Sequence, residues 1–195
     1  MNEKEHMNRE FQKRLCGIDE AGRGPLAGPL VMAGVILALS IDGLTDSKKL
    51  TEKKREALFS LILENSDYHI VTFSAKQIDT MGISKCLQRG LLSIQEHLPG
   101  VAYLFDGNSS FGVTNIETMI KADAKVPEVS AASILAKVTR DREMVEMGRR
   151  YPQYGFQKHK GYATKAHYEA LLKHNRCAIH RKTFRVRGLD EPALF

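Results

Sequence analysis

Apolar residues recur along this chain with two periods, and the switches between them mark its elements. RLCGIDE and PLVMAGVILAL read as β-strands, joined by a Gly- and Pro-rich connection and followed by the polar turn SIDGLTDSKK, which predicts a buried first layer of sheet. The period then becomes helical. In EKKREALFSLILEN, Leu58, Leu61 and Ile62 stand at i, i+3 and i+4, Thr51 is placed as the cap, and the charged early face belongs outward. YHIVTF predicts a third strand, and ISKCLQRGLLSIQEHL a second helix with Ile83, Leu87, Leu91 and Ile94 along one stripe. VAYLFDG reads as a strand that stops at an acid, and VTNIETMIKAD as one more, ending on Asp123. EVSAASILAKVTRDREMVEMGRRY is a helix whose small residues come first, which suits close packing on a sheet. After Tyr151 the chain turns wet and aromatic, with a loop and a helix capped by Thr164, an appendage outside the main sheet. The order β-β-α-β-α-β-β-α predicts an α/β fold with a mixed sheet flanked by helices over residues 1–150 and a helical extension over 151–195.

Length and charge narrow this picture. The 195 residues, 43% apolar, suit one ordinary domain with a small appendage. A net charge of +6, a pI near 9.2 and basic residues gathered after position 137 suggest a polyanionic partner such as nucleic acid. Cys16, Cys86 and Cys177 are odd in number and far apart, which suggests reduced thiols in a cytoplasmic protein and neither a disulfide framework nor a zinc site. The leader MNEKEHMNREFQKRL lacks the apolar centre of a signal peptide, and the longest apolar stretch is broken by Gly28, Pro29 and Gly34, so neither secretion nor a membrane span is expected.

The candidate chemistry is acidic. Asp19, Glu20, Asp106 and Asp123 each fall at or just past the end of a predicted strand, beside a Gly, Ala or turn. Strand ends are where an α/β sheet carries its chemistry. Brought together, four carboxylates repel one another unless a cation lies between them, and oxygen-only ligands favour Mg²⁺ or Mn²⁺ over zinc. In a basic chain this points to a two-metal phosphodiester hydrolase, one ion activating a water and the other stabilising the leaving oxygen. Any one of these acids taken alone is a turn former or cap, and spacing leaves both readings open. Adjacent side chains on a strand face opposite ways, so Asp19 and Glu20 should contribute differently, and the strand should end or bend at them.

Longer segments carry a specific likeness. GIDEAGRGPLAGPLVMAGVIL, LTDSKKLTEKKRE, FDGN, KADAKVPEVSAASILAKVTRDREM and YPQYGFQKHKGYATKAHYEAL together resemble bacterial ribonuclease HII, the type 2 ribonuclease H, from about residue 14 to residue 187. The resemblance implies a ribonuclease H-like catalytic domain over 1–150 and an extension over 151–195 that completes the substrate-binding surface. It implies an endonuclease that cuts the RNA strand of RNA–DNA hybrids and incises 5′ of ribonucleotides embedded in duplex DNA, leaving 3′-hydroxyl and 5′-phosphate ends. The family's metal-binding carboxylates fall on Asp19, Glu20, Asp106 and Asp123, with two Mg²⁺ or Mn²⁺ ions expected during catalysis.

The resemblance also assigns neighbours. Gly22, Arg23 and Gly24 would bring main-chain groups against the 2′-hydroxyl, a task suited to glycine because no side chain blocks the approach. Tyr162 matches the residue that stacks on the sugar of the following deoxynucleotide. Ser47, Lys48, His159 and Lys160 are candidate phosphate contacts, while Lys49 reads as surface charge and Arg140 with Asp141 as a helix-surface ion pair. Ala122 and Ala163 stand where the family commonly has glycine or another small residue, and the terminal PALF faintly resembles a sliding-clamp-binding peptide. Monomer is the default expectation. Two rivals remain. A four-carboxylate 3′-exonuclease usually separates its first two acids by one residue, whereas Asp19 and Glu20 are contiguous; a non-catalytic RNA-binding module would leave four strand-end acids beside phosphate without a purpose.

Overall fold

The structure, a computed structural model, describes residues 14–45, 47–186 and 189–190. The leader, the PALF tail and the side chain of Lys48 lie outside the described residues. Among the described residues five strands form one mixed sheet: β1 (Leu15–Ala21), β2 (Leu30–Leu37), β3 (Ser66–Phe73), β4 (Ala102–Asp106) and β5 (Glu117–Met119), in the spatial order β3-β2-β1-β4-β5. β1 runs antiparallel to β2 and parallel to β4, so the first strand of the sequence is the middle of the sheet.

Among the described residues six α-helices cover the faces and one end: α1 (Glu52–Glu64), α2 (Ala75–Met81), α3 (Ile83–His97), α4 (Pro127–Arg150), α5 (Phe156–His159) and α6 (Lys165–His174). β2 is apolar throughout because both its faces are covered. Val31, Ala33 and Val35 meet Leu58 and Ile62 of α1 and the small residues of α4, whereas Leu30, Met32 and Ile36 meet Leu87, Leu91 and Ile94 of α3. The small start of α4 permits very close approach: a Cβ on Gly17 of β1 would lie 2.2 Å from the backbone of Glu128 and Val129. A third apolar cluster, with Met144, Tyr154, Phe156 and Leu171, joins the end of α4 to the extension.

The predicted caps are in place, since Thr51 Oγ1 accepts from the Lys54 N–H and Thr164 Oγ1 from the His167 N–H, both at 3.3 Å. Three expectations change. β1 does not end at its acids but stays paired with β2 through Asp19, Glu20 and Ala21. The strand expected to end on Asp123 stops at Met119, and Asp123 sits on a 3₁₀ turn, Ala122–Ala124, entered through Lys121 at φ 60°. Arg140 is buried, and Asp141 pairs instead with Lys137 at 2.7 Å. α2 was not foreseen, although Ser74 and Gln77 form a capping box before it. Cys16 and Cys86 are buried and Cys177 half-buried, all as free thiols. Among the described residues no helix is long and apolar enough to cross a membrane.

Candidate active site

The ladder between β1 and β4 ends at the pair Ile18↔Phe105, which leaves Asp19 and Asp106 side by side at the open carboxyl end of two parallel strands. β5 pairs with β4 up to Asp106↔Met119, and the chain then turns back so that Asp123 meets them. One carboxylate oxygen from each of Asp19, Asp106 and Asp123 lies within 4.8 Å of the others. Backbone and hydroxyl groups hold the arrangement. The Ala122 N–H donates to Asp106 Oδ1 at 3.2 Å, the Glu20 N–H donates to Asp19 Oδ1 at 2.7 Å, and the Ser130 hydroxyl donates to the Asp123 carbonyl.

Asp19 is 8% exposed, and its acidity is disturbed accordingly. Burial, followed by the charges of Glu20 and then Asp106, holds its pKa well above the usual carboxylate range, against hydrogen bonds from Ser133 and the Glu20 N–H. Three oxygen donors with crowded negative charge fit a hard divalent cation, which would remove the repulsion that folding leaves in place. Glu20 occupies the opposite face of β1, with Ile18, and its Oε1 accepts from Arg23 Nη1 at 3.3 Å. The strand thus carries the two adjacent acids within its paired length, since the ladder with β2 continues through both.

Beside Asp19 opens a cleft of about 390 Å³, lined also by Glu20, Gly22 to Gly24, Ser47, Ser133 and Tyr162. Thus Asp19, Glu20 and the Gly-Arg-Gly loop share one cavity with the tyrosine of the extension, more than 130 residues away in sequence. Gly22 has φ 95°, and a Cβ there would lie 2.2 Å from Arg140 Nε, whereas a Cβ on Gly24 meets nothing within 4 Å. Tyr162 exposes 45% of its surface while its backbone is fixed on both sides: its N–H donates to the His159 carbonyl, and its own carbonyl accepts from the Thr164 N–H and from His167 Nδ1.

The remaining candidates are placed differently from one another. Ser47 is buried, its hydroxyl 2.9 Å from that of Ser133, so it reaches Asp19 through a relay of hydroxyls. His159 has both ring nitrogens engaged by backbone, the Tyr154 carbonyl at 2.7 Å and the Gly161 N–H at 3.2 Å, which makes it a shaper of the turn. Lys160 lies in that turn at φ 50°, half-buried, with its carbonyl held by Arg140.

Two arginines behind the loop were not anticipated. Arg140 donates from Nε to the Pro29 carbonyl at 2.9 Å and from Nη2 to those of Ala27 and Lys160; Arg181 donates to the carbonyls of Gly28, Arg23 and Gly22, the last at 2.6 Å. Arg140 shares its helix stripe with Ser133, Ala136 and Met144, so a cation on an apolar stripe was a readable signal. Arg181 stands in an irregular segment with no periodicity to mark it.

The same architecture occurs in known proteins. The family model described as Ribonuclease HII matches residues 16–187. Over 183 residues the chain is 73% identical to the ribonuclease HII of Sulfurovum sp. (strain NBC37-1), covering 94% of this chain and 97% of that protein. Among solved structures it is similar to the PCNA:RNase HII complex from Archaeoglobus fulgidus, with a TM-score of 0.77 at 28% identity over 89% of this chain and 96% of that one. It is also similar to the ribonuclease H2 of Pyrococcus horikoshii OT3, with a TM-score of 0.72 at 29% identity over 88% and 93%. With this match spanning both the sheet and the extension, the chain belongs to the ribonuclease HII family and is a ribonuclease H, a nuclease that acts on the RNA of RNA–DNA hybrids.

Proposed function

We propose that this protein incises on the 5′ side of ribonucleotides embedded in duplex DNA, in addition to cutting long hybrids, and leaves 3′-hydroxyl and 5′-phosphate ends. The observation that carries the reading is the shared cavity: Asp19 belongs both to the group of three aspartates and to the cleft lined by Gly22, Gly24 and Tyr162.

Asp19, Asp106 and Asp123 would hold the divalent cations, Mg²⁺ or Mn²⁺, with Glu20 as the fourth acid. Bound there as a pair, the ions supply water activation and charge stabilisation at the leaving oxygen. The protein's own groups do the rest. Ser133 and the Glu20 N–H orient Asp19, the main chain of Gly22 to Gly24 meets the 2′-hydroxyl, and Tyr162 stacks on the next sugar so that an RNA-to-DNA junction is recognised. Residues 151–195 thereby complete a substrate surface that the domain of 1–150 begins, with Lys48 and Lys160 as candidate contacts to backbone phosphates.

The test compares a long hybrid, a closed circular duplex with one ribonucleotide and the same circle in plain DNA, each with Mg²⁺, Mn²⁺ or EDTA. Nicking of the ribonucleotide circle 5′ of the ribose, absent in EDTA and on plain DNA, is expected. A circle left intact while linear hybrids are degraded from their ends would identify an exonuclease instead.

A further inference from the structure

The cations behind the Gly-Arg-Gly loop are costly where they stand. Arg140 is 1% and Arg181 0% exposed. Among the described residues neither forms an ion pair, and each guanidinium is surrounded by backbone carbonyls. Burial lowers the pKa of both, that of Arg181 to about 10, aided by the charge of Arg140. Apolar side chains of similar volume would fill this space at lower cost. A guanidinium offers what they lack, a planar fork of donors that fixes several carbonyls at once.

The direction of those carbonyls matters. No peptide in the described chain is cis, and in a trans peptide the C=O of one residue and the N–H of the next point opposite ways. Arg181 turns the carbonyls of Gly22 and Arg23 inward at 2.6 and 3.0 Å, so the N–H groups of Arg23 and Gly24 face the cleft. A carbonyl that accepts from a cation also polarises its own peptide, which makes the outward N–H a better donor. Arg140 ties the second wall to the first: one Nη2 bridges the Ala27 carbonyl at 3.2 Å and the Lys160 carbonyl at 2.9 Å, and its guanidinium lies 5.6 Å from the centre of the Tyr162 ring.

We propose that Arg140 and Arg181 are positioning residues for ribonucleotide recognition: Arg181 aims the amides of Arg23 and Gly24 at the 2′-hydroxyl, and Arg140 sets the distance between that loop and Tyr162. The inference rests on the ribonucleotide reading given above. It makes selectivity depend on two side chains that never touch the substrate.

The experiment measures binding of the full chain, in Ca²⁺ to suppress cutting, to two duplexes that differ only in one 2′-hydroxyl, for wild type, Arg181→Lys and Arg140→Lys, with melting temperature alongside. For Arg181→Lys the wild-type preference for the ribonucleotide duplex falls about tenfold, the scale of one lost hydrogen bond to a fixed donor, while affinity for plain DNA is kept. For Arg140→Lys the preference falls when the ribonucleotide is followed by DNA and holds when it is followed by further RNA. If both affinities fall in parallel with stability and the ratio stays constant, the arginines are only structural and the proposal is overturned; it is also overturned if neither variant folds. A wild type that shows no preference would instead defeat the underlying functional reading.

Discussion

At the carboxyl ends of β1 and β4 three carboxylates lie close enough to share one ion, and burial with the charges of Glu20 and Asp106 opposes ionisation of Asp19, whereas behind the Gly-Arg-Gly loop two buried guanidiniums each donate to three carbonyls of this same chain. Both regions bury charge, but only the second is complete without a ligand. The acidic half should therefore be adjustable in stability and indispensable in chemistry, since folding leaves it repulsive and a cation resolves it. The basic half should be the reverse, a rigid frame whose disturbance is felt in folding or in selectivity.

The largest effect that would break this contrast is expected at Asp19. Asp19→Asn keeps the shape and the hydrogen bond from the Glu20 N–H but removes the anionic ligand, so cleavage should fall by more than about a hundredfold, beyond the 10–100-fold typical of groups one shell further out. In EDTA the same variant should melt at a higher temperature than wild type, because burial and the charges of Glu20 and Asp106 already oppose ionisation of Asp19. Adding Mg²⁺ should raise the wild-type melting temperature more than that of the variant. A variant that cuts normally with Mg²⁺ would show that this end of the sheet is not the catalytic centre.

Acid should act on the basic half through its histidines. The His167 Nδ1–H donates to the Tyr162 carbonyl at 2.9 Å, so its Nε2 accepts from the His180 Nε2–H at 3.0 Å, and His180 Nδ1 accepts from the Cys177 N–H at 2.9 Å. The network closes with both rings neutral, and a proton on either disrupts it. Burial, then the neighbouring His167, lowers the pKa of His180 from 6.5 to about 4. Between those values the unfolded chain binds more protons than the folded one, so stability is fully present above pH 6.5 and falls as pH drops towards 4, by roughly 3 kcal/mol. Urea unfolding at pH 7 and at pH 4.5 measures it; equal stabilities would mean that the histidines are not locked neutral.

Within the loop itself, Gly22→Ala tests how rigid the frame is. The added methyl group would sit 2.2 Å from Arg140 Nε and 2.4 Å from the Pro29 carbonyl at φ 95°, so a loss of about 1–3 kcal/mol in stability is expected from urea titration. A smaller cost would mean that the loop and Arg140 can move apart, which the positioning inference forbids.

The two halves were unequally legible in the sequence. The acids were readable because Asp19 and Asp106 terminate apolar runs whose period is unmistakable, and their family likeness extends over most of the chain. Asp123 was found for an inexact reason: a strand was expected up to it, and a 3₁₀ turn carries it, because Lys121 takes a left-handed conformation that a period-two pattern does not encode. Arg140 and Asp141 look like an ion pair in one dimension, yet i and i+1 on a helix do not face each other, and the buried stripe through Ser133 and Met144 decides which of them turns inward. Arg181 had no local signal, since its partners Gly22 and Arg23 are more than 150 residues away in sequence. Recognition built from backbone atoms leaves few marks beyond its glycines.

Gly24 gives the finest test, because here stability and selectivity should separate. A Cβ at this position meets nothing within 4 Å, and its φ lies outside the left-handed region that only glycine favours, so the fold itself does not require the glycine. Gly24→Ala should leave the melting temperature unchanged or raise stability by as much as about 1 kcal/mol through a less flexible unfolded chain. Gly24 lines the cleft that also holds Asp19 and Tyr162. If the ribose is read there by close main-chain approach, cleavage at a single embedded ribonucleotide should fall about tenfold, the equivalent of one lost hydrogen bond, in a protein no less stable than wild type. Gly22→Ala and Gly24→Ala would then divide the loop between them, the first failing by strain in the frame and the second by obstruction of the ligand. Unchanged cleavage by Gly24→Ala would move the ribose contact away from this loop and leave the two arginines holding a frame with nothing to present.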